Sequence, residues 1–185
     1  GKATLLYMLA ALDKPTRGTV QLDGKNLASI KDSAIASFRR EHLGFVFQDF
    51  NLLDTFSLED NIYLPLVLAG KQYQEMHSRL ESLAKKLGIT SLLKKYPYEV
   101  SGGQKQRAAV ARALITDPRL VLADEPTGAL DSKTGHMVMD LFHKLHEEQG
   151  KTIVLITHSQ ELAAETKRIV TILDGNIVSD NGGEG

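Results

Sequence analysis

The chain has 185 residues, 42% of them hydrophobic, and its 22 Lys and Arg residues nearly balance 23 Asp and Glu residues, so its net charge is −1. This composition suffices for one buried core, while the lack of a basic excess argues against nucleic acid as the main partner. The chain contains no cysteine, which excludes disulfides and thiolate metal sites, and no apolar stretch approaches the ~20 residues needed to span a bilayer. Any role at a membrane would therefore depend on a partner protein.

Hydrophobic periodicity predicts alternating helices and strands at both ends of the chain and helices alone in the middle. The first part is predicted to form a helix, a strand, a helix and a strand, at residues 5–12, 19–22, 33–40 and 43–47. The middle part is predicted to form helices at residues 58–68, 72–87, 91–95 and 102–115. The last part has predicted strands at 120–123 and 152–157, helices at 132–149 and 160–167, and a hairpin that joins strands 169–173 and 177–179.

Continuous apolar strands that alternate with helices predict a buried, mostly parallel sheet. The expected fold class is therefore α/β, with a core made of residues 1–49 and 117–185. An all-helical subdomain, residues 50–116, is expected to interrupt this core. Open sheets of this kind bind ligands at the carboxyl ends of their strands, so polar residues at strand ends are the first candidates for a site.

Four polar residues follow predicted strands in this way. Asp124 is expected to approach Mg²⁺ through water, and Glu125 to orient or deprotonate an attacking water molecule. His158 could hydrogen-bond a γ-phosphate, and the neutral amide of Gln48 could ligate Mg²⁺ and move with the helical insert. The alternative for each is an ordinary solvated residue at the end of a strand.

The first four residues, Gly1, Lys2, Ala3 and Thr4, open the first predicted helix. A P-loop ends in Gly-Lys-Ser or Gly-Lys-Thr at such a position, where backbone N–H groups and the Lys hold phosphate. Ala3 stands where a hydroxyl would ligate Mg²⁺, and Thr4 keeps a hydroxyl one position later. A chance Gly-Lys dipeptide is the alternative interpretation.

The helix predicted at 102–115 begins with an unusual sequence, Ser101, Gly102, Gly103 and Gln104. Glycines at a helix start let a ligand approach the backbone closely, and the Ser hydroxyl, the free N–H groups and the helix dipole favour an anion. A plain helix cap would explain Ser101 but not the two glycines.

These motifs resemble those of the ABC-type ATPases, in the family's order, over nearly the whole chain. The resemblance covers the end of the P-loop, the Q-loop at Gln48, the signature motif at residues 101–104, the Walker B acids and the switch histidine. Asp131 closes a segment similar to the family's D-loop, which contacts the opposing subunit. Residues 39–55, 96–100 and 123–131 resemble the branch for lipoprotein release, macrolide export and peptide-antibiotic resistance, most closely the bacitracin-resistance type.

The resemblance implies a P-loop NTPase fold with ATP and Mg²⁺ as cofactors. It implies a head-to-tail homodimer with ATP at the interface, in which the signature motif of one subunit binds the γ-phosphate of the other's ATP. It further implies ATP hydrolysis that powers a separate integral-membrane permease, for export of or resistance to antimicrobial peptides. The protein would then be cytoplasmic and peripheral on the inner face of the cell membrane.

The sequence departs from the family pattern at its start, because the glycine-rich first half of the P-loop and the strand before it are missing. The core is therefore expected to be incomplete at its N-terminus, and the chain as it stands to bind ATP weakly. One alternative is an ABC ATPase that works off the membrane, although its typical coiled-coil insert or second ATPase domain is not seen. The other is an interaction module with impaired nucleotide binding.

Overall fold

The computed structural model describes residues 1–182, so the last three residues of the predicted 117–185 core segment lie outside the described part. The helices in this part are α1 (Lys2–Leu9), α2 (Asp32–His42), α3 (Leu58–Leu68), α4 (Tyr73–Leu87), α5 (Gly102–Leu114), α6 (Ser132–Gln149) and α7 (Gln160–Ala164). The strands are β1 (Gln21–Leu22), β2 (Lys25–Asn26), β3 (Leu43–Val46), β4 (Leu120–Asp124), β5 (Thr152–Ile156), β6 (Ile169–Leu173) and β7 (Asn176–Asn181).

A parallel sheet of three strands, in the order β3-β4-β5, lies at the centre of the described residues. Leu43 pairs with Leu120, and Leu120 pairs with Thr152. All three strands therefore end at the same edge of the sheet, which is where the candidate polar residues follow them. The predicted α/β fold class is confirmed.

Two antiparallel hairpins accompany this sheet, β1–β2 and β6–β7. Asp174 and Gly175 turn the second hairpin with φ angles of 48° and 78°, as a two-residue hairpin loop with a type I′ turn requires. This hairpin was predicted from its Asp-Gly-Asn sequence. Asp23 and Gly24 form the same kind of turn between β1 and β2. Strand β2 has only two residues and was not predicted.

The strands differ in burial, which corrects the prediction of a sheet that is buried throughout. In β4, Leu122 packs with Leu6 of α1 on one face, and Val121 and Ala123 pack with the helices on the other. The residues of β5 are at most half-buried because β5 is an edge of the described sheet. The hairpin strand β6 is largely exposed because it pairs only with β7.

Helices α3, α4 and α5 pack against one another, and α5 also packs on β3. At Gly44 the sheet approaches α5 so closely that a Cβ atom would collide with the carbonyl oxygen of Ala113. One continuous apolar cluster runs from these helices to the sheet. The boundaries of the helical subdomain therefore stay a prediction. None of the described helices combines the length and hydropathy that a membrane span requires.

The predicted helix at 91–95 is wrong, since this stretch contains 3-10 turns at Thr90–Leu92 and Pro97–Glu99. The carbonyl oxygens of Leu93 and Lys95 accept hydrogen bonds from the free N–H groups at the start of α3, at 2.9 and 2.8 Å. Proline disfavours helical conformation in the residue before it. The segment thus serves as a backbone cap for α3.

Candidate functional site

The acid after β4 and the histidine after β5 meet at the carboxyl edge of the sheet. Glu125 accepts a hydrogen bond from the backbone N–H of His158, with N to Oε1 at 2.8 Å, and one from the hydroxyl of Thr157 at 3.4 Å. The Glu125 side chain is only 18% exposed, and the His158 side chain is 82% exposed. The two predicted catalytic residues thus form one cluster, with the carboxylate anchored and the imidazole open to solvent.

Glu125 has a backbone conformation that non-glycine residues seldom adopt, with φ at 48°. Such a conformation persists only where surrounding contacts fix it. Its N–H donates to the carbonyl of Ile156 at 2.9 Å, and its own carbonyl accepts from the N–H of Gly128 at 3.1 Å. The turn after β4 is therefore held tightly, and it aims the carboxylate towards β5.

Lys2 joins the same cluster from the first turn of α1. Its Nζ lies 3.3 Å from Nδ1 of His158. An ammonium group can only donate, so Nδ1 accepts, and the proton of a neutral His158 lies on Nε2, 3.8 Å from Oε1 of Glu125. Helix α1 begins after Gly1 without a side-chain cap, which leaves the first N–H groups of the helix available to a ligand. Ala3 and Thr4 are exposed on this turn.

Asp124, one of the two predicted Mg²⁺ ligands, lies beside this cluster. Burial raises the pKa of Asp124, with the carboxylates of Glu125 and Asp49 adding to the rise and His158 opposing it. Gln48 is exposed in the turn after β3, two residues beyond the Val46–Ala123 register pair. Residues 1–182 contain no group of three His, Asp or Glu side chains that could hold a metal ion by themselves. One carboxylate and one amide suit Mg²⁺, which keeps several water ligands and binds substrate phosphates.

The signature residues form a reciprocal helix cap. Ser101 Oγ accepts from the N–H of Gln104 at 3.2 Å, and Gln104 Oε1 accepts from the N–H of Ser101 at 2.9 Å. Ser101 and Gly102 are exposed. A Cβ on Gly103 would lie 3.2 Å from the carbonyl oxygen of Ala129, so this glycine allows α5 to approach the segment after the acid pair. No hydrogen bond in the described chain joins residues 101–104 to the cluster of Lys2 and Glu125.

Gln106 was missed in the sequence, although it connects these two regions. It is only 1% exposed, its Nε2 donates to the carbonyl of Glu125 at 2.9 Å, and its Oε1 accepts from the N–H of Ala129 at 2.9 Å. Gln106 lies on the same face of α5 as Gly103 and Val110, the face that its spacing predicts to be buried. A buried polar residue needs hydrogen-bond partners, so this position could have indicated its role.

Two arginines of α5 brace neighbouring backbone. Arg107 donates to the carbonyls of Leu87 and Gly88, both at 3.1 Å. Arg112 donates to the carbonyls of Phe50 and Asn51, both at 2.7 Å. Phe50 and Asn51 have positive φ angles of 61° and 55°, so Arg112 ties a strained turn just after Gln48 to the signature helix.

Asp131, the D-loop candidate, is exposed and caps α6. Its Oδ1 accepts from the N–H of Thr134 at 2.9 Å and its Oδ2 from the Thr134 hydroxyl at 3.1 Å. These hydrogen bonds lower the pKa of Asp131. A role in nucleotide binding or subunit contact stays a prediction for this residue.

The arrangement as a whole places an ammonium, a helix N-terminus, two carboxylates and an imidazole at one edge of a sheet. The ammonium and the free N–H groups suit phosphate, and the anchored carboxylate of Glu125 suits a water nucleophile. A separate, exposed helix start on α5 offers a second candidate surface for an anion, and it makes no hydrogen bond to the first within the described residues.

Comparisons with known proteins agree with this chemistry. The family model described as ABC transporter matches residues 1–128. The chain is 52% identical over 180 residues to the uncharacterized ABC transporter ATP-binding protein YvcR of Bacillus subtilis, covering 97% of this chain and 70% of that protein. It is 42% identical over 177 residues to the bacitracin export ATP-binding protein BceA of Halalkalibacterium halodurans, covering 96% of this chain and 70% of that protein.

A solved structure is also similar. The dimeric structure of a post-hydrolysis state of the ATP-binding cassette MJ0796, bound to ADP and Pi, superposes with a TM-score of 0.93 at 39% identity. The superposition covers 100% of this chain and 82% of the MJ0796 chain. The predicted family resemblance is thereby confirmed.

Proposed function

The chain belongs to the ABC transporter family as an ATP-binding, ATP-hydrolysing protein, and on that premise we propose that two copies join head to tail and power a separate integral-membrane permease. The observation that carries the proposal is the cluster of Lys2, Glu125 and His158, in which phosphate-binding and water-activating groups converge from α1, β4 and β5. The exposed signature helix start supplies the complementary surface.

We assign the roles within one ATP site as follows. Lys2 and the first N–H groups of α1 hold the β- and γ-phosphates. Glu125 accepts a proton from the attacking water. The N–H of His158 and the hydroxyl of Thr157 hold its carboxylate in position for this role. His158 contacts the γ-phosphate through the imidazole that Lys2 and Glu125 orient.

Mg²⁺ belongs in this site beside Asp124 and Gln48. Burial and the neighbouring Glu125 raise the pKa of Asp124, and a nearby cation would offset that unfavourable environment for its charge. The ion would neutralise charge on the phosphates as the γ-phosphate leaves. Asp124, Gln48 and phosphate oxygens, completed by water, fit the ligand set that Mg²⁺ prefers.

The head-to-tail arrangement follows from the placement of the two anion-binding surfaces. Ser101 and Gly102 are exposed and make no hydrogen bond to the phosphate-binding cluster of their own described chain. A second copy, turned head to tail, would present its signature helix to that cluster and complete the site. The similar cassette MJ0796 is dimeric with ADP and Pi, which supports this assembly.

The Ala3 position allows a test of the Mg²⁺ assignment. Replacing Ala3 by Ser adds a hydroxyl on the exposed first turn of α1, next to Lys2. We expect Ala3→Ser to lower the Mg²⁺ concentration for half-maximal ATP binding by about tenfold, since it adds one oxygen ligand. The measurement is a calorimetric ATP titration at several Mg²⁺ concentrations. Ala3→Val, which adds bulk without oxygen, is the matched control, and equal behaviour of the two variants would contradict the assignment.

The permease is proposed to dock on the segment between β3 and α3. Leu53 and Phe56 expose 44% and 39% of their surface, whereas Leu52 packs against the core. Asn61, only 1% exposed, holds this segment, because its amide donates to the carbonyls of Leu53 and Phe56 and its oxygen accepts from the N–H of Leu53. A fixed loop with two exposed apolar side chains suits a short amphipathic helix of the permease.

Crosslinking tests this docking site directly, because the chain has no cysteine of its own. Single cysteines at Leu53 and Phe56 are expected to crosslink to the co-purified permease. A cysteine at Val178, a more exposed apolar residue of β7 at 56%, is the control and is expected not to react with the permease. Crosslinks from the control position alone would overturn the assignment.

The substrate class is proposed from sequence similarity to a relative. The relative BceA is a bacitracin export protein, and we propose that the permease served by this chain handles antimicrobial peptides. The same proposal places the protein on the cytoplasmic face of the cell membrane, held there by the permease.

A further inference from the structure

One buried amide links the two functional regions of this chain. Gln106 lies on the signature helix α5, and its side chain bonds both ends of the turn that follows β4. It is one of two buried polar residues in the described chain. The other, Asn61, serves the proposed docking loop, so each buried polar side chain fixes a segment with a proposed function.

The turn held by Gln106 needs support. Glu125 has φ at 48°, and its carbonyl receives the Gln106 amide hydrogen bond at 2.9 Å. Four residues later, the N–H of Ala129 donates to the oxygen of the same amide at 2.9 Å. An apolar side chain at this position would remove both hydrogen bonds and leave the Glu125 carbonyl with only the Gly128 N–H as a partner, which favours movement of the turn.

The two regions linked by Gln106 serve different ATP molecules if the proposed head-to-tail dimer is correct. Glu125 acts on the ATP of its own subunit, whereas residues 101–104 bind the ATP of the partner. The Gln106 side chain therefore connects the two sites through one subunit by hydrogen bonds. Close packing of Gly103 on Ala129 makes the same connection through the backbone.

We propose that Gln106 is a positioning residue that fixes Glu125 for catalysis and couples the two ATP sites of the dimer. This inference rests on the proposed function. A shift of the signature helix, caused by ATP binding in one site, moves the Gln106 amide and with it the backbone of Glu125 in the other. Gln106 itself touches no reacting atom.

Two substitutions separate this role from simple packing. Gln106→Met keeps the approximate volume and removes both hydrogen bonds. We expect it to lower kcat by about 10- to 100-fold, to change KM for ATP by less than about threefold, and to reduce the Hill coefficient for ATP towards that of independent sites. Amide hydrogen exchange at Ala129 is expected to accelerate, which requires no catalytic activity to observe.

Gln106→Glu tests whether restoring the hydrogen bond to the Glu125 carbonyl also restores activity. A neutral carboxyl can donate one hydrogen bond and accept another, which are the two bonds that the Gln106 amide makes here, and burial raises the pKa of a carboxyl. We expect the activity of Gln106→Glu, divided by that of the unmodified protein, to rise as pH falls, because protonation restores the hydrogen bond to the Glu125 carbonyl. The same ratio for Gln106→Met is expected to stay flat.

Arg107→Met is the matched control, since it removes two hydrogen bonds that the adjacent residue of α5 makes to the backbone of α4. It is expected to lower the melting temperature without changing kcat or Ala129 exchange. If Gln106→Met keeps full kcat and slow Ala129 exchange while Glu125→Gln abolishes hydrolysis, the proposed function stands and Gln106 has no positioning role. If Glu125→Gln changes nothing, both proposals fail.

Discussion

Glu125→Gln is expected to lower phosphate release about 10²–10⁴-fold, which is the typical contribution of a general base. The amide keeps the shape of the side chain and can still accept from the His158 N–H, which lies 2.8 Å from Oε1, but it cannot take a proton from water. ATP binding is expected to persist and to trap the dimer. Steady-state phosphate release and sedimentation with ATP are the measurements.

The control for this variant is Glu161→Gln, which makes the same chemical change on an exposed residue of α7. It is expected to hydrolyse ATP at the unmodified rate. Hydrolysis by Glu125→Gln at a rate close to that of Glu161→Gln would remove Glu125 from the role of base.

Gly102→Asp is expected to reduce the rate of ATP hydrolysis by about 10²-fold or more. This is comparable to the loss of one hydrogen-bond donor that stabilises charge developing in the transition state. The introduced carboxylate would stand at the exposed start of α5, where the partner's γ-phosphate is proposed to bind. The added Cβ fits, because its nearest neighbour would be the Ala129 Cβ at 3.9 Å. An acid at a helix start is also favourable by about 0.3–1 kcal/mol, so the melting temperature should not fall.

Gly102→Asn is the matched control, since it has nearly the same size and no charge. It is expected to retain much more activity than Gly102→Asp when phosphate release is measured under the same conditions. Equal loss in the two variants would show that bulk, rather than repulsion of an anion, accounts for the effect.

The fold was predictable wherever local sequence and burial agree. The apolar run of β4 and the Asp174–Gly175 turn each have one physical interpretation. Strand β2 was not predictable, because two residues carry no periodicity. The exposure of β6 was not predictable either, since an apolar strand does not specify how many partners it pairs with.

The candidate site was predictable in part, because the strands of a parallel sheet have their carboxyl ends at the same edge. This rule places Glu125 next to His158 without any structure. The positive φ of Glu125 could not be predicted, since nothing in an Asp-Glu-Pro sequence specifies it. It depends on hydrogen bonds with residues distant in sequence, Gln106 and Ile156, and such contacts appear only when the chain is folded.

The most direct test of the composite site is to mix the two inactive variants, Glu125→Gln and Gly102→Asp, before ATP is added. In a head-to-tail dimer, a mixed pair has one site that lacks both groups and one site that is intact. We therefore expect a burst of phosphate from the mixture that neither variant gives alone. No burst from the mixture, under conditions in which sedimentation with ATP shows that the two variants pair with each other, would contradict the account by placing each site within a single subunit.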